Sequence, residues 1–550
     1  MNETNSSTKV TPKDTLVGCG KYLIFTIRHN LVRYLVWIGI VAFMVIYICP
    51  FYKSLFSDPK ELQKFINTVG EPSMVAMVGT VSSLAVANAA LSAAVWAKIW
   101  MFTALTLGIG MVFQVTKGVR ADEENGRTEL FRSRPFGIHS TLVAVISGAI
   151  MVCVVAGIIT TALLAAFNMD PAGSGITGSL TFGLSFMAVG ILGVGVGALS
   201  NQLSASGSIA NSTGSIILMA FYCMRMIGDM GSNHTLTWLS PVGWAQKMAP
   251  YGENRIWLFV PNIILSAVLI MIALMIESRR DYGSGVLREK AGHPDAKPYM
   301  KRSWGLVLRL YKGSIIGWSI GVVLAGLMFG SVVTSMLDML KGNDVPFLNA
   351  SSIDFMMGFM LMFVGLISVV LPMFIMTGLR SDETKGLTEA QLAGSMSRHR
   401  MILERYVIAT VATVFLLILG GASFGMSYGS AANDMSQIWK CVLDVLIYLP
   451  GIMAITSLVV LLFGWFPRAT IPVTWFLYGL MYFGVLLIET LKLPRAVTYI
   501  IPFIGTPKLP APILDDGSNG SVVAVVLYFI AAIVFVLLGM YGLRKRNIPR

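Results

Sequence analysis

Charge is scarce in this chain. Only 13% of its 550 residues are Asp, Glu, Lys or Arg, against 55% hydrophobic. The polar remainder is too small and too scattered to form a large water-soluble domain. Cysteine is scarce as well. Cys19, Cys49, Cys153, Cys223 and Cys441 are dispersed, mostly in or beside apolar runs, and no pair has metal-ligand spacing. That pattern excludes a disulfide framework and reads as small buried apolar residues. The five histidines (His29, His139, His234, His293 and His399) show no metal spacing, so no metal site is assigned. No nucleophile–base constellation stands out, and no catalytic residue is assigned. The chain also lacks a G-x-x-x-x-G-K-(S/T) loop that would cradle phosphates, so it is not expected to hydrolyse ATP or to bind a cofactor of its own.

What the chain has in abundance is long apolar runs. Stretches of about 18 or more such residues mark transmembrane helices, because hydrocarbon offers backbone groups no partner outside the segment. The runs predict an all-α polytopic membrane protein of about twelve spans. In the first half they cover roughly 34–50, 95–116, 141–166, 178–199, 212–230 and 256–276. In the second they cover roughly 314–336, 353–377, 402–424, 438–464, 471–491 and 521–542. The first run is too long for a signal-peptide core and has no clear cleavage site, so it is read as retained. Thr15–Arg33, before it, is a candidate amphipathic connecting helix. The small-residue-rich stretch Ser73–Ala94 is a candidate re-entrant or interfacial piece.

The net charge of +13 raises the question of nucleic acid, and the placement of the charges answers it. With both termini in the cytoplasm, most of the 41 Lys and Arg residues fall on the cytoplasmic side. The basic excess then follows from orientation and from anionic inner-leaflet lipid, with no nucleic-acid partner. The charged, Gly- and Pro-containing segment 279–303 reads as a cytoplasmic linker. It separates a first membrane half (1–278) from a second (304–550). Six spans in each make the halves parallel repeats.

One motif repeats. "RADEENGRTEL" begins at Arg120, and 260 residues later "RSDETKGLTEA" begins at Arg380. Arg120 matches Arg380, Asp122 matches Asp382 and Glu123 matches Glu383. Gly126 matches Gly386, Thr128 matches Thr388, Glu129 matches Glu389 and His139 matches His399. Leu387 stands where the first copy has Arg127. Each copy follows the second span of its half. The spacing predicts a surface helix with i,i+4 pairs Arg120–Glu124 and Glu123–Arg127. A topology signal needs only Lys and Arg. Matched Asp, Glu and Gly in both copies suit a docking surface.

This combination resembles the permease subunit of polyketide antibiotic exporters, a branch of the ABC type-two membrane fold. In that family an R-x-(D/E)-E-x-x-G-R-x-E-L element follows the second span. The first copy matches it fully and the second weakly. "MRMIGDMGSNHTLTWLSPVGWAQKMAP" (Met224–Pro250), "RRDYGSGVL" (Arg279–Leu287) and "IPFIGTPKLPAP" (Ile501–Pro512) resemble further family segments. The resemblance implies a bacterial plasma-membrane exporter of amphiphilic small molecules. Two copies of a separate soluble ABC ATPase would dock on the charged helices, and ATP and Mg would bind on that partner. The coupling residues would be Arg120, Asp122, Glu123, Gly126, Arg127 and Glu129, with Arg380, Asp382, Glu383, Gly386 and Glu389. Pro241, Trp244, Pro502 and Pro507 lie in outer segments that are either an interfacial belt or a cap over the outer exit.

Arg225 and Asp229 are an intramembrane charge pair. Each charge costs about 2.5–3.5 kcal/mol at a helix centre, so they are expected to pair, and a structural pair suits the spacing better than a substrate contact. Two rival readings remain at this point. A proton-coupled secondary transporter of the major facilitator class shares the twelve spans and a Gly-and-charge loop after the second, but its motif spacing fits poorly. A membrane enzyme acting on lipid precursors would need polar groups converging at one membrane face, and none are seen.

Overall fold

The computed structural model describes residues 14–56, 58–70, 75, 78–132, 135–169, 176–230, 234–280, 285–286, 302–342, 350–394, 396–491, 499, 501–512 and 520–546. Most of the expected linker 279–303 lies outside them. The described secondary structure is helical throughout. The chain divides into two compact units, Met1–Ala291 and Gly292–Arg550.

Among the described residues, ten helices are long and apolar enough to cross a membrane. The expected spans 212–230 and 471–491 are helical too, as Gly207–Met230 and Thr470–Leu491, but are not among the ten. Ser212, Thr213 and Ser215 near one end of Gly207–Met230, and Arg225 and Asp229 at the other, lower its hydropathy. The stretch Ser73–Ala94 is not a separate interfacial piece over its helical part. Helix Ser83–Gly118 is continuous for 36 residues, and the alanine-rich start of that run is a strong helix former. Thr15–Arg33 likewise does not form a distinct connecting helix. Cys19–Leu55 runs as one helix through the first span.

Proline sets two breaks that the apolar runs hide. The expected span 353–377 is Ala350–Ser368 followed by Val370–Thr384. Pro372 has no N–H to offer the Ser368 carbonyl, one turn back. The expected span 438–464 is Gln437–Leu446 followed by Leu449–Trp465, with Pro450 in the same relation to Leu446.

In the first unit, helix Thr177–Leu203 is the centre: 83% of its most apolar window is buried, against 17% for helix Ile256–Glu277. Glycine makes that centre possible. A Cβ on Gly193 would lie 2.2 Å from the Gly108 carbonyl oxygen, and one on Gly183 would lie 2.4 Å from that of Gly157. These close approaches carry the contacts to helices Ser83–Gly118 and Ser140–Ala166, as small residues do where no hydrophobic effect drives helices together. In the second unit a Cβ on Gly464 would likewise lie 2.2 Å from the Gly539 carbonyl oxygen. Large apolar side chains such as Ile216, Ile264, Met275, Ile320, Val411 and Phe476 face outward, which suits lipid as the surrounding solvent.

Candidate functional site

The repeated motif forms a pair of short helices broken by glycine in each unit. In the first unit these are Arg120–Glu124 and Arg127–Arg132, and Gly126 between them has φ +68°. In the second unit the long helix Val370–Thr384 carries the motif's start, Gly386 has φ +71°, and Leu387–Leu392 follows. Both φ values lie in the left-handed region that only glycine occupies without strain. Nothing stands within 4 Å of where a Cβ would be. Gly126→Ala is therefore expected to cost about 1 kcal/mol through backbone strain alone. Gly126→Asn should cost less, as read by thermal unfolding of the purified protein.

The ion pairs differ from the i,i+4 expectation: the turn at Gly126 lies between Glu123 and Arg127, and Glu124 turns to the backbone of another helix. The salt bridges that form include Arg120–Glu123 (2.8 Å), Arg127–Asp122 (3.3 Å) and Arg280–Glu123 (3.0 Å). Glu124 instead accepts the Gly207 backbone N–H at 2.7 Å.

The two members at the heart of the motif point inward. Arg120 is 1% exposed and Glu123 8%. Arg120 donates through Nε and Nη2 to the Ala205 carbonyl, at 3.1 and 2.6 Å. Arg280 Nη2 donates to both Glu123 oxygens at 3.0 Å, and its Nε donates to Gln202 Oε1 at 2.6 Å. The motif is thereby fastened to the end of helix Thr177–Leu203 and to the exit of helix Phe259–Glu277. His139 adds a second tie to the latter, with Nδ1 2.7 Å from Glu277 Oε2. Arg127, Asn125 and Glu129 are exposed, and Asp122 is half-buried.

The second unit repeats this plan with substitutions. Arg380 Nη1 lies 3.1 Å from Glu383 Oε2, and Arg546 Nη2 donates to Glu383 Oε1. Arg546 Nη1 donates to the Phe463 carbonyl at 2.7 Å, and the guanidinium stacks over the Phe463 ring. Burial, and then the neighbouring Arg380, pull the Arg546 guanidinium below its ordinary pKa. Glu383 thus stands between two cations that would otherwise repel. Asp382 takes a partner that Asp122 does not have: buried Arg405 donates to it at 2.6 Å from helix Arg398–Ala432. Gly386, Leu387 and Glu389 are exposed, and His399 is exposed where His139 is tied down. Thr388, like Thr128, is buried.

Sequence reasoning missed Arg280, Gln202, Arg405 and Arg546. Arg280 and Arg546 were visible only as positive charge near a membrane exit. They stand 266 residues apart, so a slide of 260 does not superpose them.

At the other end of helix Gly207–Met230, Arg225 and Asp229 form the expected pair, with Nη1 to Oδ2 at 3.2 Å and both side chains fully buried. The pair is a hub. Asp229 also accepts from Thr237 Oγ1 (2.8 Å) and Gln246 Nε2 (3.0 Å). Arg225 donates to the Val75 carbonyl at 3.3 Å and lies over the Tyr222 ring. Gln246 further donates to Thr80 Oγ1 at 2.8 Å. Pro241 opens the short buried helix Pro241–Gln246, whose N-cap Ser240 accepts from Gly243 N–H. Trp244 is half-buried and donates through Nε1 to the Trp238 carbonyl at 2.5 Å. In the second unit Pro502 begins the short helix Pro502–Gly505 and Pro507 is buried. Pro502 also lines an apolar cavity of about 380 Å³ with Leu458, Tyr478, Tyr528 and Phe535. The described residues contain no cluster of His, Cys, Asp or Glu suited to a metal ion.

Among the described residues, ten helices long and apolar enough to cross a membrane, all-helical structure and a charged element repeated in both units define a multi-pass membrane protein. Residues 300–544 match the family described as "Multidrug efflux system permease Rv1217c, C-terminal domain". The chain is also similar to the protein named "Multidrug efflux system permease protein Rv1217c" of Mycobacterium tuberculosis. The two are 29% identical over 470 residues, covering 82% of each chain. Both matches name a multidrug efflux permease, in agreement with the permease resemblance drawn from the motifs.

Proposed function

We propose that this chain is the membrane permease of an ATP-driven exporter of amphiphilic drugs. It is energised by a separate soluble ABC ATPase, in two copies, that carries the ATP and Mg. Both termini lie in the cytoplasm of a bacterial cell, and the protein sits in the plasma membrane. The ATPase docks on the outward faces of the two charged elements. One observation carries this reading. Each unit anchors its element from beneath with a buried carboxylate between two guanidinium groups, and leaves the residues around Gly126 or Gly386 exposed. An element held so firmly and left uncovered suits a partner surface. The relative from Mycobacterium tuberculosis, named for a multidrug efflux system, supports the substrate class. The second docking face offers Leu387 where the first offers Arg127, so the two contacts are unequal. Pro241, Trp244, Pro502 and Pro507 belong to segments that would close the outer exit.

The test is Arg127→Glu in the complex reconstituted with its ATPase. Arg127 is half exposed, and its salt bridge to Asp122 is long at 3.3 Å. Reversing its charge should therefore change stability by less than about 1 kcal/mol. Drug-stimulated ATP hydrolysis should fall by about tenfold or more, the effect of losing some 1.4 kcal/mol of docking energy. Undiminished stimulation would remove the docking role. Transport that collapses with an uncoupler while ATP stays high would replace the whole reading with a secondary transporter.

A further inference from the structure

The carboxylate of each charged element is shared between two arginines of different origin. One belongs to the motif: Arg120 at 2.8 Å from Glu123, or Arg380 at 3.1 Å from Glu383. The other comes from just beyond the last helix of that unit. Arg280 follows Phe259–Glu277 and Arg546 follows Val522–Lys545. Each of these outer arginines uses its remaining donors in the same way. Arg280 reaches Gln202, at the end of helix Thr177–Leu203, and Arg546 reaches the Phe463 carbonyl, near the end of helix Leu449–Trp465. In both units the outer arginine therefore joins three segments, the motif through its carboxylate, the last helix through the chain, and an inner helix end through a further donor, although the motifs are 260 residues apart and the outer arginines 266.

A basic residue that only enforced membrane orientation would extend to water or lipid phosphate. Arg280 is instead folded inward, with 7% of its side chain exposed. Its Nη2 donates to both carboxylate oxygens while its Nε donates to Gln202, so the planar guanidinium is gripped from two sides, which fixes direction as well as distance. We propose that Arg280 and Arg546 are positioning residues that make each charged element and the last helix of its unit move as one body. A displacement imposed on the element is then delivered to that helix rather than absorbed by a loop. The link itself stands on this geometry alone; only its use in drug export rests on the docking reading.

The rigid link is tested first on the full chain without any ATPase. Spin labels at Arg127→Cys and Met275→Cys, both exposed, are placed in a cysteine-free background. They should give one narrow distance distribution by pulsed electron resonance. Arg280→Gln should broaden it or add a second distance, and Arg280→Lys, which keeps the charge but not the fork, should give an intermediate width. A distribution unchanged by Arg280→Gln overturns the proposal, whatever an ATPase does. The second arm uses the reconstituted complex. Arg280→Gln and Arg546→Gln are compared with wild type by export normalised to the ATP that each complex hydrolyses. Drug molecules exported per ATP should fall by about fivefold or more, with partial recovery in Arg280→Lys. Normal export per ATP in both glutamine variants would overturn the proposal. An ATPase that fails to bind the wild-type chain would instead overturn the docking reading and leave the distance measurement decisive.

Discussion

Alanine in place of Glu123 is expected to lower the unfolding midpoint of the purified protein by several degrees. The carboxylate is the shared counter-ion of Arg120 and Arg280, both of which are largely shielded from water. Removing one partner of a buried ionic cluster costs about 3–5 kcal/mol, because the charges left behind lose their shared counter-ion away from water. Glu123→Gln keeps an acceptor for one arginine and should cost less. Arg127→Ala, on the exposed face, should change the midpoint little. A midpoint unmoved by Glu123→Ala would contradict the buried cluster. The contrast also bears on how loss of activity is interpreted. A Glu123 variant that no longer exports reports a collapsed support, whereas an Arg127 variant tests the proposed docking surface.

The second large effect is expected at the opposite end of helix Gly207–Met230. Asp229→Ala removes the acceptor of Arg225, Thr237 and Gln246 at once, and leaves Arg225 with its side chain wholly buried. The expected loss is again about 3–5 kcal/mol. Here it has a local signature. Thr237 and Gln246 belong to the segment that follows helix Gly207–Met230, and Gln246 also holds Thr80. Backbone amides of 235–246 should therefore exchange with solvent hydrogen faster in Asp229→Ala than in the parent, since local opening exposes them. Asp229→Asn, which retains an oxygen for Thr237, should lie between. Exchange in that segment unaltered by Asp229→Ala would show that the pair does not hold it.

The membrane helices and the repeated motif were legible in the sequence because both are local signals. Apolar length marks a span wherever it occurs, and a motif with matched charges and glycine shows itself on self-comparison. The breaks before Pro372 and Pro450 were also written there, but a hydropathy window averages across them. What was not legible is whatever joins distant residues. Glu123 and Arg280 are separated by 157 positions, and nothing in either neighbourhood names the other. The i,i+4 pairing assumed an unbroken helix, and the positive φ of Gly126 removed that assumption. For Arg225 and Asp229 the spacing alone identified the pair, but not the Thr237 and Gln246 side chains that make it a lock on the segment following their helix.

The bare contact between Gly193 and Gly108 limits how the first unit can deform. Where two helices meet through side chains, rotamers can yield and the helices can tilt apart or press together. Here backbone lies against backbone, and there is no cushion to compress. Movement that keeps this contact is confined to sliding along the helix axes, a shear rather than a hinge. A methyl group at Gly193 would jam that slide without touching any charged residue of the protein.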